Sequence, residues 1–417
     1  MALGGLLQVI RVFRYSDYAT YTAGNSLSLI GLWMQRIGVG WLAWDLTHST
    51  TWLGIIAMTE FFPIVFMGPI GGVLADRFDR AINIIVFQSI AMITSGIMFV
   101  LLLFSLMNIW LLALLTLFVG ITSGLNSASR LALAPSLVPK EHLTTAIAMN
   151  SMVFNSARFI GPAIAGVVIK FWGVEFVFAC NTLSYLTLIW ALWVIKANLS
   201  RSAKAKKNNV SILTEMKEGM HILLANTGSK TVMVMMLATA LLLRPIVQLL
   251  PGIADEIYQS GVNGFAYLTA SIGAGAVIGG YWVAQRRDQE NFHLCLIGIL
   301  ISVVGNSGVL FMPSINAALP FGFLLGGGMV MTGIGIQSTL QLAIAEEYRG
   351  RVLGLYGVCF MGGPAIGALG IGAVVEFFGL KAPILGAALS ILVLWSYMWL
   401  NRKETIKHLK LLKNAPL

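Results

Sequence analysis

Charge is scarce in this chain. Asp, Glu, Lys and Arg make up 11% of its 417 residues and hydrophobic types 57%, whereas a soluble domain carries about 25% charged residues. That deficit excludes an ordinary soluble fold. Acidic residues are scarcer than basic ones, 17 against 27, for a net charge of +10. No basic domain stands outside the apolar runs, so a nucleic-acid partner is not expected. Cysteine is nearly absent: Cys180, Cys295 and Cys359 all fall inside apolar runs at unpaired spacings. They read as small apolar residues, not as disulfides or metal ligands. The five histidines have no zinc or haem spacing. Nucleophile clusters and redox ligands are missing from the runs and no nucleotide-binding G-x-x-x-x-G-K-[ST] loop occurs, so neither an enzyme nor a cofactor is expected. A receptor would need an appended signalling domain, and the stretch after Leu400 is too short for one.

What the chain has instead is twelve apolar stretches of spanning length, at residues 20–45, 51–75, 82–107, 109–131, 143–169, 174–195, 231–251, 262–284, 293–313, 318–344, 352–376 and 382–400. About 20 apolar residues cross a bilayer. Basic residues fall between these stretches on every second side. Of the 27 Lys and Arg, 21 lie on one side, from Arg11, Arg14, Arg77 and Arg80 through Lys140, the 196–230 segment, Arg286, Arg287, Arg349 and Arg351 to the tail after Arg402. The other side holds only Lys170 and Lys381. The positive-inside rule places the rich side, with both termini, in the cytoplasm. The expectation is an all-α, multi-pass protein of the cytoplasmic (inner) membrane, its excess charge facing anionic lipid.

The apolar pattern stops at residues 196–230. The stretch 198–209, "NLSRSAKAKKNN", reads as a solvated linker. Residues 210–224 place Ile212, Met216, Met220 and Leu223 at helical spacing, as in an amphipathic helix on the cytoplasmic surface. The expected organisation is a bundle over 1–195, a linker over 196–230, a second bundle over 231–401 and a tail over 402–417. The halves repeat each other: "FIGPAIAG" (159–166) in span 5 matches "MGGPAIGA" (361–368) in span 11, centred on Gly161-Pro162 and Gly363-Pro364. Each is followed by an aromatic-Gly exit, ending in Gly173 and Gly379. Repeated six-span halves are typical of transporters; a Gly-Pro kink alone would only mark close packing.

The loop after span 2 reads "GGVLADRFDR" (71–80). It resembles the signature G-x-L-A-D-R-x-G-R-[RK] of the major facilitator superfamily, with Asp79 where a second glycine is usual. Within that superfamily, "LSLIGLWMQRIGVGWLAWDLTHST" (27–50) and "AIAMNSMVFNSARFIGPAIAG" (146–166) are similar to exporters related to the enterobactin exporter and macrolide efflux pumps. The resemblance implies twelve transmembrane helices in two pseudo-symmetric six-helix bundles. It implies a cytoplasmic gate in which Gly72, Asp76, Arg77 and Arg80 meet Arg130 near the end of span 4. The alternative is that these charges only set topology.

Ionisable groups at mid-membrane depth cost roughly 2.5–3.5 kcal/mol or more and need a partner or a wet cavity. Glu60 is the only acidic residue well inside a span. Arg36 lies nine residues before Asp45 and Glu60 nine residues after Thr51, so both sit at roughly 13 Å from the same outer end. Pairing follows, either as a structural bridge or as part of proton coupling or substrate binding. Arg158 and Arg244 lie in the outer half too. They either line a cavity that favours an acid-bearing substrate or bind carbonyls freed at Pro162 and Pro245. Asn25 extends the polar stripe of Arg36, and Asn126, Asn150, Asn155 and Gln248 are neutral candidates that also serve as interhelical glue. The function expected is a monomeric secondary exporter of a small amphipathic or acidic molecule, such as a siderophore or drug, driven by protons. A lipid or lysophospholipid flippase, or an importer, is the alternative.

Overall fold

The computed structural model describes residues 12–196, 212–285, 291–344 and 346–414, and all regular elements among them are helical. The linker 198–209 and Arg11, Arg286 and Arg287 lie outside the described residues. Eleven of the described helices are long and apolar enough to cross a membrane. The twelfth expected span is α1 (Ser16–Thr47), whose 32 residues reach roughly 48 Å at 1.5 Å per residue. Length is ample, but Asn25, Ser28, Gln35 and Arg36 dilute its apolar character.

Two compact units form. The first comprises the described residues within Met1–Thr47 and Thr59–Lys207, the second those within His48–Met58 and Asn208–Leu417. Helix α2 (Thr50–Arg77) therefore begins with the second unit and continues in the first. The first unit is completed by α3 (Arg80–Leu103), α4 (Ile109–Ser136), α5 (Leu143–Trp172) and α6 (Glu175–Lys196). There α1 packs on α5 and α6, and α3 on α4 and α6. The burial pattern is that of a membrane solvent. Along α3, Val86, Ile90, Ile93, Ile97 and Val100 are exposed, while Asn83, Gln88 and Ser95 are buried. Apolar side chains outward and polar ones inward suit lipid, where polar groups must find partners within the protein.

Local chemistry sets the helix ends. Asp79, the departure from the superfamily loop, caps α3 by accepting from the Ile82 amide at 3.0 Å. Asn83 Nδ2 donates to the Leu74 carbonyl at 2.9 Å and ties α3 to the last turns of α2. Asn108 caps α4 in the same way. Gly173 ends α5 at φ +105° and Gly379 follows the last helix turn of span 11 at φ +71°, a backbone region in which only glycine is relaxed.

The second unit contains α7 (Ile212–Ala225), α8 (Thr227–Ala238), a π-helical stretch Thr239–Leu243, α9 (Ile246–Gly252) and a second π-helical stretch Ile253–Ile257. These are followed by α10 (Gly261–Gln285), α11 (Asn291–Phe311), α12 (Ile315–Ala343), α13 (Glu346–Phe378), α14 (Lys381–Leu400) and α15 (Arg402–Asn414). Helix α7 packs on α13, with the expected Leu223 buried there and the side chains of Ile212 and Met216 outside what is described. Ile222 and Leu223 are buried, whereas Met220 is 39% exposed. Gly219 permits the approach to the Arg351 backbone, and Glu218 pairs with Arg351 at 2.8 Å. Helices α10 and α12 touch through glycine: a Cβ on Gly326 would meet the Ile272 backbone, and one on Gly275 the Phe323 backbone.

Candidate functional site

In the first unit the site is built on α1. Trp33 and Arg36 share a face, three residues apart. Arg36 Nε donates to Glu60 Oε1 at 2.5 Å, with only 15% and 11% of the two side chains exposed. The guanidinium lies 4.3 Å from the centre of the Trp33 ring and 5.0 Å from that of Phe61. Glu60 is held at this depth because α4 presents Gly120 to the backbone of Thr59 and Glu60, where any side chain would collide. Helix α5 contributes Arg158, 5.4 Å from the Trp33 ring centre and within electrostatic reach of Arg36. Gly161 of the first Gly-Pro pair makes this possible, since a Cβ there would stand 2.5 Å from Trp33 Cβ and 2.9 Å from the Ile30 carbonyl. Among the described residues Arg158 has neither a hydrogen bond nor an ion pair, and the buried Trp33 Nε1 has no acceptor. An orphaned buried donor costs about 1–3 kcal/mol and a charged one more.

A second polar layer runs along α1 beside this site, and apart from Asn25, Asn126 and Asn150 it escaped the sequence reading. Gln35 Oε1 accepts from Ser95 Oγ at 2.8 Å and from Asn181 Nδ2 at 2.5 Å. Gln88 Nε2 donates to Ser28 Oγ at 2.6 Å, and Asn126 Nδ2 to Gln88 Oε1 at 3.1 Å. Asn25 Nδ2 donates to Asn150 Oδ1 at 3.4 Å. Tyr185 lies beside Asn181 and within electrostatic reach of Arg130, Arg36 and Glu60. The Asn155 side chain lies outside what is described. The only signal for Gln35 and Gln88 was their type, amides within apolar spans. This layer ties α1 to α3, α4 and α6. Gln35→Leu orphans the Asn181 amide, so thermal unfolding in detergent should show a loss of roughly 1–3 kcal/mol. Melting like that of the wild type would mean the layer does not hold the unit together.

Arg130 does not join the expected gate cluster. Its Nη2 donates to Asn25 Oδ1, and its carbonyl accepts from Tyr21 at 3.5 Å. Asn25 carries the acceptor that reaches Arg130, whereas Asp76 and Arg77 stand exposed at the end of α2. Gly72 has open space where a Cβ would point, and Arg80 opens α3.

In the second unit, span 7 passes through a π-helical stretch and a turn at Arg244-Pro245 while its backbone stays right-handed helical. The Arg244 amide donates to the Thr239 carbonyl five residues back, at 3.0 Å, and Pro245 has no amide to continue the ladder. Arg244 Nη1 then donates to the Phe360 carbonyl at 3.3 Å, its guanidinium 3.7 Å from the Phe360 ring centre. Phe360 is four residues before Pro364, so its carbonyl is the one that proline leaves without a helical donor. Arg244 thus serves a carbonyl freed by Pro364. Gly363 lies against Ala240, where a Cβ would be 2.6 Å from the Ala240 Cβ. Beside Arg244 a cavity is lined by Met236, Thr239, Met329, Thr332, Tyr356 and Phe360. Gln248 is partly buried near it in sequence and makes no side-chain hydrogen bond among the described residues. The first turn of α2 also belongs here: Ser49 Oγ donates to Glu376 Oε1 at 2.6 Å and Thr50 Oγ1 to the Gly372 carbonyl at 2.8 Å.

The chain is 27% identical over 383 residues to the enterobactin exporter EntS of Shigella boydii serotype 4, covering 88% of this chain and 86% of that one. It is 23% identical over 350 residues to macrolide efflux protein A of Streptococcus pyogenes, covering 82% and 84%. A crystal structure of a bacterial homologue of the human lysosomal transporter Spinster superposes with a TM-score of 0.73 at 11% identity, over 97% of this chain and 99% of that one. Residues 10–413 match the family described as transmembrane secretion effector. The chain belongs to that family of the major facilitator superfamily, and is a multi-pass membrane transporter for small molecules rather than an enzyme.

Proposed function

We propose that this transporter is a proton-coupled exporter of a small amphipathic molecule bearing an acidic group. In this reading it works as a monomer in the cytoplasmic membrane, by alternating access, with both termini in the cytoplasm. The observation that carries the reading is the Arg36–Glu60 pair with Arg158 beside it: two guanidinium groups and one carboxylate among aromatic rings. A carboxylate at this depth is the group on which a proton acts, because protonation removes its charge and releases Arg36. Asn25, Asn126 and Asn155 are assigned to the same pathway in the first unit, Arg244 and Gln248 to a pathway role in the second, and Asp76 with Arg77 to the cytoplasmic gate. The names of the efflux relatives support the outward direction.

Reconstitution tests it. In proteoliposomes acidified inside, external naphthalene-2-sulfonate, an amphipathic anion at every working pH, should accumulate several-fold over vesicles without a gradient. A luminal pH dye should report proton loss that quickens with the probe. Saturable flux without proton movement would remove the coupling, and absence of saturable flux would remove the substrate class.

A further inference from the structure

We propose that Arg158 and the indole N–H of Trp33 form a seat for one monoanionic group of the transported molecule. This rests on the transport reading for its purpose, but binding is measurable without transport. Three observations converge. The Trp33 Nε1 donor is buried without an acceptor among the described residues. Arg158, 5.4 Å from the same ring, has no hydrogen-bonded or ionic partner among them. The adjoining Arg36 is already engaged by Glu60.

Formal charges across the three ionised groups sum to one positive charge. A single sulfonate or carboxylate neutralises it, whereas a dianion leaves an excess of the opposite sign. Phe154 stands edge-on to Trp33 at 6.0 Å and Phe61 borders Arg36, so the walls around the donors are aromatic. The ligand class is therefore an anion carried on an apolar, preferably flat, body. Trp33 acts as a positioning donor whose N–H has a fixed direction, and Arg158 supplies charge with a planar fork.

The experiment uses full-length protein in nanodiscs. Naphthalene-2-sulfonate binding is followed by tryptophan fluorescence, with the neutral naphthalene-2-sulfonamide as control. Wild-type protein should bind the sulfonate and not the sulfonamide. Arg158→Gln should weaken binding roughly 30-fold or more, and Trp33→Phe, which keeps a ring and loses the donor, about tenfold. Arg158→Gln should also melt higher than the wild type without ligand, because it deletes a partly buried charge that has no partner among the described residues, and should lose the stabilisation that the sulfonate confers. A merely structural arginine would do the opposite. A lower melting temperature for Arg158→Gln, unchanged affinity in both variants, or no saturable binding to the wild type overturns the seat. Transport of other compounds would then survive as a separate result.

A lipid headgroup offers the same anionic chemistry, so the measurement is repeated in phosphatidylcholine with and without phosphatidylglycerol. Equal affinities support the small-molecule seat. Competition by phosphatidylglycerol that disappears in Arg158→Gln assigns the site to lipid and overturns the proposal.

Discussion

Glu60→Gln is expected to destabilise the purified protein by roughly 3–5 kcal/mol, the loss typical of stranding one member of a buried ion pair. Arg36 would then face Arg158 with no carboxylate nearby, and a guanidinium cannot shed its proton to escape. The converse change is expected to be milder. In Arg36→Gln the stranded carboxylate can bind a proton and become neutral. The folded state of that variant then holds a proton that the unfolded state has released, so its stability should rise as pH falls. The double variant Arg36→Gln/Glu60→Gln should regain much of the loss, since two amides bond to each other without net charge. Thermal unfolding of all four proteins in one detergent, at two pH values, measures the coupling. Equal melting of either single variant and the wild type would show that the 2.5 Å contact contributes nothing. Transport by the refolded double variant separates the roles: retained proton-driven flux makes the pair structural, and folded but uncoupled protein makes Glu60 the proton site.

The second large effect is expected at a residue with no chemistry. Gly326→Ala should cost about 3 kcal/mol or more of stability, near or above the upper end for overpacking. The added Cβ meets the carbonyl and Cα of Ile272, which are backbone and cannot move aside without parting α10 from α12. Helix propensity acts in the other direction by about 1 kcal/mol. Gly354→Ala, where a Cβ meets nothing within 4 Å, should be neutral or stabilising. Recovery of monodisperse protein by fluorescence-detected size exclusion, followed by melting, compares the two. Similar behaviour of the two variants would refute the close approach.

Much of this architecture is legible in the order of residues because a membrane leaves few choices. Spans must be apolar and long, and loops carry the charge, so run lengths and arginine positions are enough to order the helices. The Arg36–Glu60 contact follows from two residue counts made from a shared outer end. The rest depends on rotation about helix axes, which counting does not supply. Arg130 turned to Asn25 and not toward Asp76. Arg244 reached the Phe360 carbonyl across to α13, and α7 buried Ile222 beside the expected Leu223 and left Met220 39% exposed. Trp33 was missed for a related reason. A tryptophan in a span reads as apolar bulk, and only the orphaned Nε1 marks it as a donor. The glycines of the α10–α12 contact are visible as composition, but which glycine meets which backbone is a matter of packing.

The extra guanidinium of the first unit also makes it a charge in a field. With the proposed seat empty, Arg36, Arg158 and Glu60 carry one net positive charge; with a monoanion seated, they carry none. A membrane potential, negative inside, works on the first of these states and not on the second. Moving one elementary charge through the whole potential drop is worth about 2.3 kcal/mol per 100 mV. Under the proposed exchange the returning carrier also holds the proton on Glu60 and carries two positive charges, so its return toward the cytoplasm is the voltage-sensitive half of the cycle. The loaded step is electrically silent, and each turnover moves two elementary charges, one anion outward and one proton inward.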